Sequence, residues 1–283
     1  MKTFLVGILF CFTFFTALHG QSIPPESSPA AITQRIGFND VTVTYHRPNV
    51  KGRAIWGALV PYGEVWRTGA DYPTRITLQD TTRVNGTNIL PPGMYAIYTI
   101  PSKAEWTLIF SRNTELWGAF GYSPEDDVLR ITLQPDTVEF TETLTIMFWD
   151  VTEESGTLEL QWERIGLRVK LEVDCYDRIV DHVEDAYTQG KEDWGIYWKG
   201  ARYLHSKGKN LELAKKWIDR SVSLDTSWVN FWQKALVEFA LGNVQEALEW
   251  GKKARDLCIA NSKYCPYTQT YGDQIAEWEM KGN

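Results

Sequence analysis

The sequence predicts a two-domain α+β protein, in which an N-terminal antiparallel β-sandwich is followed by an all-α domain of helical repeats. Three observations predict this fold class. Apolar residues recur at every second position up to about residue 173 and with a helical period afterwards. Turn signals such as Asn85-Gly86 separate the alternating segments. The helical segments repeat at a spacing of 34 residues. A barrel-like closure of the β domain is the alternative to a sandwich.

The N-terminus has the composition of a secretory signal peptide. Lys2 precedes an apolar run that ends at Leu18, and the small residue Gly20 precedes the expected cleavage position. This run is shorter than the roughly 20 residues that a membrane-spanning helix needs. We therefore expect residues 1–20 to be removed and residues 21–28 to form a Pro/Ser-rich linker. The mature protein is expected to be periplasmic or secreted, without a membrane span.

Strands are predicted throughout residues 29–173, because apolar and polar residues alternate there as they do when a sheet buries one face. The first such segment places Val41, Val43 and Tyr45 on one face. The later segments share this pattern, at Trp106, Leu108 and Phe110, at Leu144, Ile146 and Phe148, at Leu158, Leu160 and Trp162, and at Leu167, Val169 and Leu171. Turn signals also occur at Pro92-Gly93, Glu154-Ser155-Gly156 and Ile165-Gly166. Many short strands between turns predict a sandwich.

Residues 174–283 carry the apolar stripes of amphipathic helices. Gly208 and Gly242 lie 34 residues apart, which resembles the tetratricopeptide repeat, a helix-turn-helix unit of that length. The small residues match that motif at Ala201, Gly208, Ala214 and Ser221 in one unit, and at Ala235, Gly242, Ala247 and Ala254 in the next. Two units are too few to be stable alone. Helices at about 175–189 and 267–280 are therefore predicted to cap them.

Four segments of the β domain carry a distinctive pattern, "YHRPNVKGRAIWGALVPYGEVWRTGA" (45–70), "LPPGMYAIYTIP" (90–101), "WTLIFSRN" (106–113) and "WGAFGY" (117–122). Over roughly residues 28–173 the sequence resembles family 2911 of the domains of unknown function. Members of that family occur in exported bacterial proteins and are often followed by helical repeats. The family has no established activity, so the resemblance implies no function and no site residues.

Composition and motifs exclude several classes of function. A net charge of −7 argues against nucleic acid as a partner, because binding to nucleic acid depends on Lys and Arg that neutralise phosphates. The sequence has neither G-x-S-x-G nor S-x-x-K, which are common nucleophile motifs. It also has no H-E-x-x-H and no paired Cys/His spacing. We therefore expect no catalytic residues, no metal site and no cofactor.

Ligand-binding candidates concentrate in the stretch "WGALVPYGEVWRTGADYPTRI" (56–76), which holds four aromatic residues and two arginines. The residues proposed from the sequence are Arg47, Arg53, Trp56, Trp66, Arg67 and Trp117. Alternation places Arg67 on the same face as Val65, and an arginine beside an apolar residue is seldom buried without a partner. The favoured interpretation is a scaffold role, with Arg67 bound to Asp71, Glu64 or backbone carbonyls. The alternative is that Arg67 binds an anionic ligand.

The helical repeats are predicted to bind a protein or peptide partner on a concave face. The candidates are Tyr197, Arg202, Trp228 and Trp232, for each of which core packing is the rival interpretation. Cys258 and Cys265 are predicted to form a disulfide, because the turn before Pro266 can return the chain within bonding distance.

Two hypotheses of function follow. The favoured one is an exported, non-enzymatic binding or scaffold protein whose repeats mediate protein–protein interaction. Its β domain binds an unidentified ligand, such as a carbohydrate or an anion, or has a structural role. The alternative is a carbohydrate-binding protein or a hydrolytic enzyme with its site in the β domain.

Overall fold

The computed structural model describes residues 24–261 and 265–281 of the chain. The predicted signal peptide, residues 1–20, lies outside this described part. The chain divides into two compact units between Val173 and Asp174, where the hydrophobic period of the sequence changes. Among the described residues, no helix has both the length and the apolar character needed to cross a membrane.

The first unit is a β domain, which has ten strands in the part of the chain that the structure describes. They are β1 (Ser28–Ile36), β2 (Asn39–Arg47), β3 (Thr74–Leu78), β4 (Thr82–Val84), β5 (Asn88–Leu90), β6 (Gly93–Ile100), β7 (Trp106–Ser111), β8 (Asp127–Leu133), β9 (Asp136–Trp149) and β10 (Ser155–Glu172). One antiparallel sheet has the order β1-β2-β3-β6-β7-β8 and the other has the order β5-β4-β10-β9. Phe110 of the first sheet and Leu160 of the second line one small cavity of about 30 Å³, so the core lies between the sheets. The predicted antiparallel sandwich is confirmed.

Most strands bury the faces that the alternation predicts. In β2, Val41, Val43 and Tyr45 are buried. In β7 the alternation fails, because Ile109 is fully buried although the pattern places it on the polar face. The side chains that cover this second face come from the segment after β7, at Leu116, Ala119 and Tyr122. A single strand pattern does not reveal a loop that folds back over a sheet.

The turn predicted at Ile165-Gly166 is wrong, because β10 continues through it as one strand of 18 residues. Its pairing with β9 shifts register on both sides of Glu163, as at a β-bulge. Gly166 is required for close packing and not for a turn. A Cβ atom at this position would lie 2.7 Å from Cγ1 of Val138 on β9.

The second unit contains six helices within the described residues. They are α1 (Tyr176–Thr188), α2 (Trp194–Lys207), α3 (Leu211–Leu224), α4 (Trp228–Ala240), α5 (Val244–Asn261) and α6 (Thr268–Lys281). Helix α2 packs on α3 and α4 packs on α5, in agreement with two repeat units. Gly208 and Gly242 follow α2 and α4 with φ of 59° and 86°, a conformation that glycine adopts at little cost. Helices α1 and α6 lie where the capping helices are predicted.

Candidate functional site

The candidate site lies in the irregular segment between β2 and β3, residues 48–73. Trp66 is anchored to β6, since its backbone N–H donates to Thr99 O at 2.7 Å and its carbonyl accepts from Thr99 N at 2.9 Å. A second bridge joins Trp56 to Val60. Gly57 has φ of 79°, and a Cβ there would meet the Tyr62 ring at 2.7 Å. Turn geometry and close packing therefore hold the aromatic residues of this segment in place.

Two rings of this segment, Trp56 and Trp66, form a tryptophan cluster with Trp106 of β7 and Trp162 of β10. Trp66 stacks on Trp162, with centroids 5.7 Å apart and planes at 18°. Trp56 packs edge-on against Trp106 at 4.7 Å. The indole N–H of Trp66 donates to Gly69 O at 3.1 Å. By contrast, the Nε1 atoms of Trp56 and Trp162 are buried without a hydrogen-bond partner.

A cleft of about 250 Å³ opens over this cluster. We call it the basic cleft, because three cationic side chains line it together with one carboxylate, at Lys51, Arg53, Arg67 and Glu26, beside the rings of Trp66 and Trp162. Lys51 Nζ lies 2.7 Å from Glu26 Oε1. This hydrogen bond and the charge of Lys51 hold the pKa of Glu26 below its usual value. One cation of the cleft thus has an anionic partner within the protein.

Arg67 is the half-buried cation of the basic cleft. Its Nε atom is buried and has no hydrogen-bond partner, and no carboxylate of the described residues forms an ion pair with it. The predicted bonds to Asp71, Glu64 or a backbone carbonyl are therefore wrong. The segment after β7 approaches Arg67 so closely that a Cβ at Gly118 would lie 3.1 Å from Nη1. This packing fixes the guanidinium without satisfying its Nε–H.

The other sequence candidates in the β domain have different environments. Arg53 also lines the basic cleft, but its Nε donates to Val50 O at 3.0 Å. Arg47 does not line the cleft, and its Nε donates to Leu144 O at 2.9 Å. Arg47 therefore connects β2 to β9 and has a structural role. Trp56 belongs to the tryptophan cluster and is not among the residues that line the cleft.

Trp117 does not line the basic cleft but packs against Tyr72, which lines a second cleft of about 400 Å³. We call it the Tyr72 cleft. Its lining includes Thr44, His46, Tyr72 and Arg75. The Trp117 ring meets the Tyr72 ring edge-on, with centroids 4.8 Å apart. None of the residues that line this cleft was among the candidates selected from the sequence, because they lie on β1, β2 and β3 and in the segment between β2 and β3. The antiparallel register of β2 and β3, which pairs Thr44 with Arg75, is the signal that could have joined them.

The partner-binding candidates of the helical domain are more buried than predicted. Tyr197 is fully buried and its hydroxyl donates to Lys191 O at 2.8 Å, so its assignment to an exposed binding face is wrong. Trp232 stacks on Tyr271 of α6, with centroids 3.8 Å apart. Trp228 is half-buried and tilts against the same ring at 6.2 Å. The predicted capping helix therefore covers part of the face that these tryptophans were expected to present.

Two further features of the helical domain bear on the sequence predictions. Arg202 is exposed, and its guanidinium lies over the Trp198 ring, 5.6 Å from the centroid. Cys258 and Cys265 form a disulfide with their Cα atoms 5.5 Å apart. Among the described residues, no group of three or more His, Cys, Asp or Glu side chains is arranged to hold a metal ion.

Comparison with known sequences identifies the β domain. The model of a family described as a protein of unknown function (DUF2911) matches residues 27–171, just over half of the chain. No curated protein and no solved structure matches the chain. The matched residues include the tryptophan cluster, the basic cleft apart from Glu26, and the Tyr72 cleft. The chain belongs to the DUF2911 family.

Proposed function

We propose that this is an exported, non-enzymatic binding protein whose β domain holds a small anionic ligand in the basic cleft and whose helical repeats bind a protein partner. One observation carries the proposal for the β domain. The Nε–H of Arg67 is buried at a cleft and has no acceptor. A buried donor without an acceptor costs about 1–3 kcal/mol, and the oxygen of a bound anion would remove that cost.

The charge around the cleft supports an anion. Lys51, Arg53 and Arg67 contribute three positive charges, against the single negative charge of Glu26. The whole chain carries a net charge of −7, so this local excess of positive charge is opposite in sign to the rest of the protein. A cleft with low-dielectric walls concentrates such a field and attracts ions of the opposite charge. Arginine is suited to this role, because its planar fork binds carboxylates and phosphates with two hydrogen bonds.

The dimensions of the cleft restrict the ligand. A volume of about 250 Å³ corresponds to roughly eight water molecules, at about 30 Å³ each. This is below the approximately 300–1,000 Å³ of sites for drug-sized molecules. A small anion, or the acidic group of a larger molecule, therefore fits the basic cleft best. The half-buried Trp66 ring beside Arg67 offers an apolar surface to the rest of such a molecule.

The side chains that line the two clefts favour binding over hydrolysis. Glycoside hydrolysis usually requires two carboxyl groups on opposite sides of the scissile bond. Among the described residues, Glu26 is the one carboxylate that lines either cleft, and it is paired with Lys51. Acyl transfer requires a nucleophile hydrogen-bonded to a general base. Among the described residues, no hydrogen bond joins Ser27 to Glu26 in the basic cleft, and none joins His46 to Thr44 or Tyr72 in the second cleft.

Protein binding by the helical domain is supported by its repeat architecture and by one surface pair. Stacked helix pairs of this kind form extended binding surfaces. The exposed Arg202 over Trp198 combines two of the three residue types that are enriched at interface hot spots. Arg202 therefore remains the best candidate for the partner site. Arg202→Ala is expected to weaken capture of that partner by more than the roughly 0.5–1 kcal/mol that an exposed cation–π contact contributes to stability.

Anion binding can be tested by thermal unfolding of the full protein in sulfate, phosphate or glucuronate at constant ionic strength. A ligand at 100 times its Kd stabilises the folded state by about 2.7 kcal/mol, so at least one probe should raise the Tm. Arg67→Ala should abolish this shift and lower the stability in plain buffer by no more than about 1 kcal/mol. Arg112→Ala, which removes an exposed arginine outside the cleft, is the matched control and should keep the shift.

Two results would contradict the proposal. One is that no probe stabilises the wild-type protein more than chloride at the same ionic strength. The other is that Arg67→Ala in plain buffer costs the roughly 3–5 kcal/mol expected when one partner of a buried ion pair is removed. The second result would restore the scaffold interpretation of Arg67.

A further inference from the structure

We infer that the Tyr72 cleft, extended by Trp117, binds the pyranose ring of a neutral carbohydrate. This site is separate from the basic cleft, since the two clefts have no lining residue in common. The inference rests on three features of the described structure, which are exposed aromatic faces, polar side chains without hydrogen-bond partners in the protein, and a suitable volume.

The aromatic surface is exposed where a folded protein normally buries such rings. Trp117 is 54% exposed, Tyr72 45% and Phe120 78%. The planes of Trp117 and Tyr72 meet at 83°, so the two rings form a corner and not a flat patch. The electron-rich face of an aromatic ring attracts the partly positive hydrogens of C–H groups. One face of a pyranose presents such C–H groups, while its hydroxyls point outward around the ring.

Polar groups suited to those hydroxyls line the cleft beside the Tyr72 ring. Thr44, His46 and Tyr72 all line it, and no side chain of these three hydrogen-bonds to another group of the described protein. The His46 ring lies 6.4 Å from the Tyr72 ring. A hydroxyl, an imidazole and a phenol can each donate or accept a hydrogen bond. Sugar hydroxyls can also donate or accept a hydrogen bond, so these side chains and the hydroxyls of a pyranose can form hydrogen bonds with one another.

The charge of the cleft favours a neutral sugar over an anion. Arg75 is the cation that lines it, and its Nε already donates to Thr114 O at 2.9 Å. Its guanidinium also lies over the Tyr72 ring, 5.5 Å from the centroid, and one terminal nitrogen is 3.8 Å from Glu115 Oε1. The guanidinium of Arg75 therefore already has partners within the protein, one of which is the Tyr72 ring. By contrast, Arg67 in the basic cleft has no partner of this kind.

The size of the cleft agrees with the inferred ligand. A volume of about 400 Å³ lies within the approximately 300–1,000 Å³ of small-molecule sites, and it is larger than the basic cleft. The apolar part of the lining comes from Pro29, Ala30 and Ala31 of β1 and from Pro73. A sugar unit could therefore enter with its apolar face on aromatic rings and its edge on polar groups. The adjacent rings of Trp117 and Phe120 would then contact a second unit.

Calorimetric titration of the full protein with neutral trisaccharides tests this inference. The probes are cellotriose, maltotriose and triacetylchitotriose, and at least one should bind with a Kd of about 1 mM or tighter. Trp117→Ala should weaken that binding about tenfold or more, whereas Trp117→Phe, which keeps an aromatic face, should retain most of it. Trp149→Ala is the matched control, because Trp149 is 49% exposed on β9 and, unlike Trp117, has no ring contact with Tyr72.

A further variant separates this inference from the proposed function of the basic cleft. Lys51→Ala removes a cation of the basic cleft and should leave trisaccharide binding unchanged, even where it weakens anion binding. The inference is overturned if none of the three sugars binds the wild-type protein at about 10 mM. It is also overturned if Trp149→Ala weakens binding as much as Trp117→Ala does. A third contrary result is a dimer in sedimentation that Trp117→Ala dissociates, since the exposed rings would then be an interface between two copies.

Discussion

Both domains contain a cluster of aromatic rings, and the two clusters differ in how completely the surrounding protein covers them. In the helical domain, Trp232 stacks on Tyr271 at 3.8 Å and Phe239 stacks on Trp278 at 4.9 Å. Helix α6 supplies two of these rings, and Trp278 is almost fully buried. In the tryptophan cluster of the β domain, a cleft opens over Trp66 and Trp162, and the buried indole N–H of Trp162 has no partner.

This difference distinguishes rings that only stabilise a fold from rings that are proposed to line a binding site as well. A closed, stacked cluster gains from burial and from ring geometry. An unsatisfied buried donor reduces stability, and such groups in native structures call for a specific explanation. Trp162 and Arg67 both have an unsatisfied nitrogen at the same cleft. The proposed ligand would supply an acceptor to Arg67, whereas the Trp56 nitrogen, which is also unsatisfied, lies in the same cluster but Trp56 does not line the cleft.

The largest expected effect is on the closed cluster. Trp278→Ala should destabilise the helical domain by about 3–5 kcal/mol, as is typical when a buried Trp is truncated, and should release α6 from α4. Hydrogen exchange should show loss of protection in α6 and α4 while the β strands keep theirs. Trp149→Ala, at an exposed site, should change stability by no more than about 0.5 kcal/mol. Equal effects of the two substitutions would remove the distinction between closed and exposed rings.

The disulfide should have the next largest effect. Cys258 and Cys265 are seven positions apart, and closing a loop of this size restricts the unfolded chain by about 2.5 kcal/mol in the entropic account. Cys258→Ser should lower the stability of the helical domain by about that amount, and reduction should do the same to the wild-type protein. Cys175, which is outside the disulfide, provides the control as Cys175→Ser under reducing and oxidising conditions. If reduction does not change the unfolding midpoint, the pair does not stabilise α5 and α6.

A pH dependence is expected from His205 in α2. Burial lowers the pKa of His205 below its usual value near 6.5, so the unfolded chain binds a proton more readily than the folded one. Stability is therefore full above about pH 6.5 and falls as the pH decreases further, by at most about 1.4 kcal/mol per pH unit. Chemical unfolding between pH 7.5 and 5.5 should show this slope in the helical domain. His205→Gln should flatten it, whereas His182→Gln at an exposed site in α1 should not.

Sequence patterns predicted the fold well where it depends on a single local signal, such as the hydrophobic period or the repeat spacing. The change of hydrophobic period marked the boundary at Val173, and the 34-residue spacing located α2 to α5. The patterns failed where a distant segment alters burial. Ile109 is covered by a later loop, and Gly166 accommodates Val138 on the neighbouring strand. Neither contact can be predicted from the residues that neighbour Ile109 or Gly166 in the sequence.

The candidate sites were only partly predictable for a similar reason. Composition and turn signals singled out Arg53, Trp66 and Arg67, and the fold does place these three at one cleft. The same reasoning grouped Arg47 and Trp117 with them, although the fold places one at the β2–β9 contact and the other beside the Tyr72 ring. Proximity in a sheet depends on register, and register depends on pairing across the whole domain. A single sequence therefore indicates candidate residues better than it indicates their neighbours.

The smallest expected effect gives the sharpest test of the comparison, because it pairs one buried tryptophan from each domain. Trp162 is 1% exposed and its indole N–H has no partner, whereas Trp217 is 0% exposed and its indole N–H donates to Glu184. Replacement by Phe removes a similar volume at both sites, but at Trp217 it also removes a hydrogen bond to a charged group, worth about 1.5–3 kcal/mol. At Trp162 the loss of packing is offset by removal of an unsatisfied donor. Trp162→Phe should therefore cost less than about 1.5 kcal/mol, and clearly less than Trp217→Phe in urea unfolding. If Trp162→Phe costs as much as Trp217→Phe, the indole N–H has a partner such as ordered water, and the β-domain cluster is as fully satisfied as the helical one.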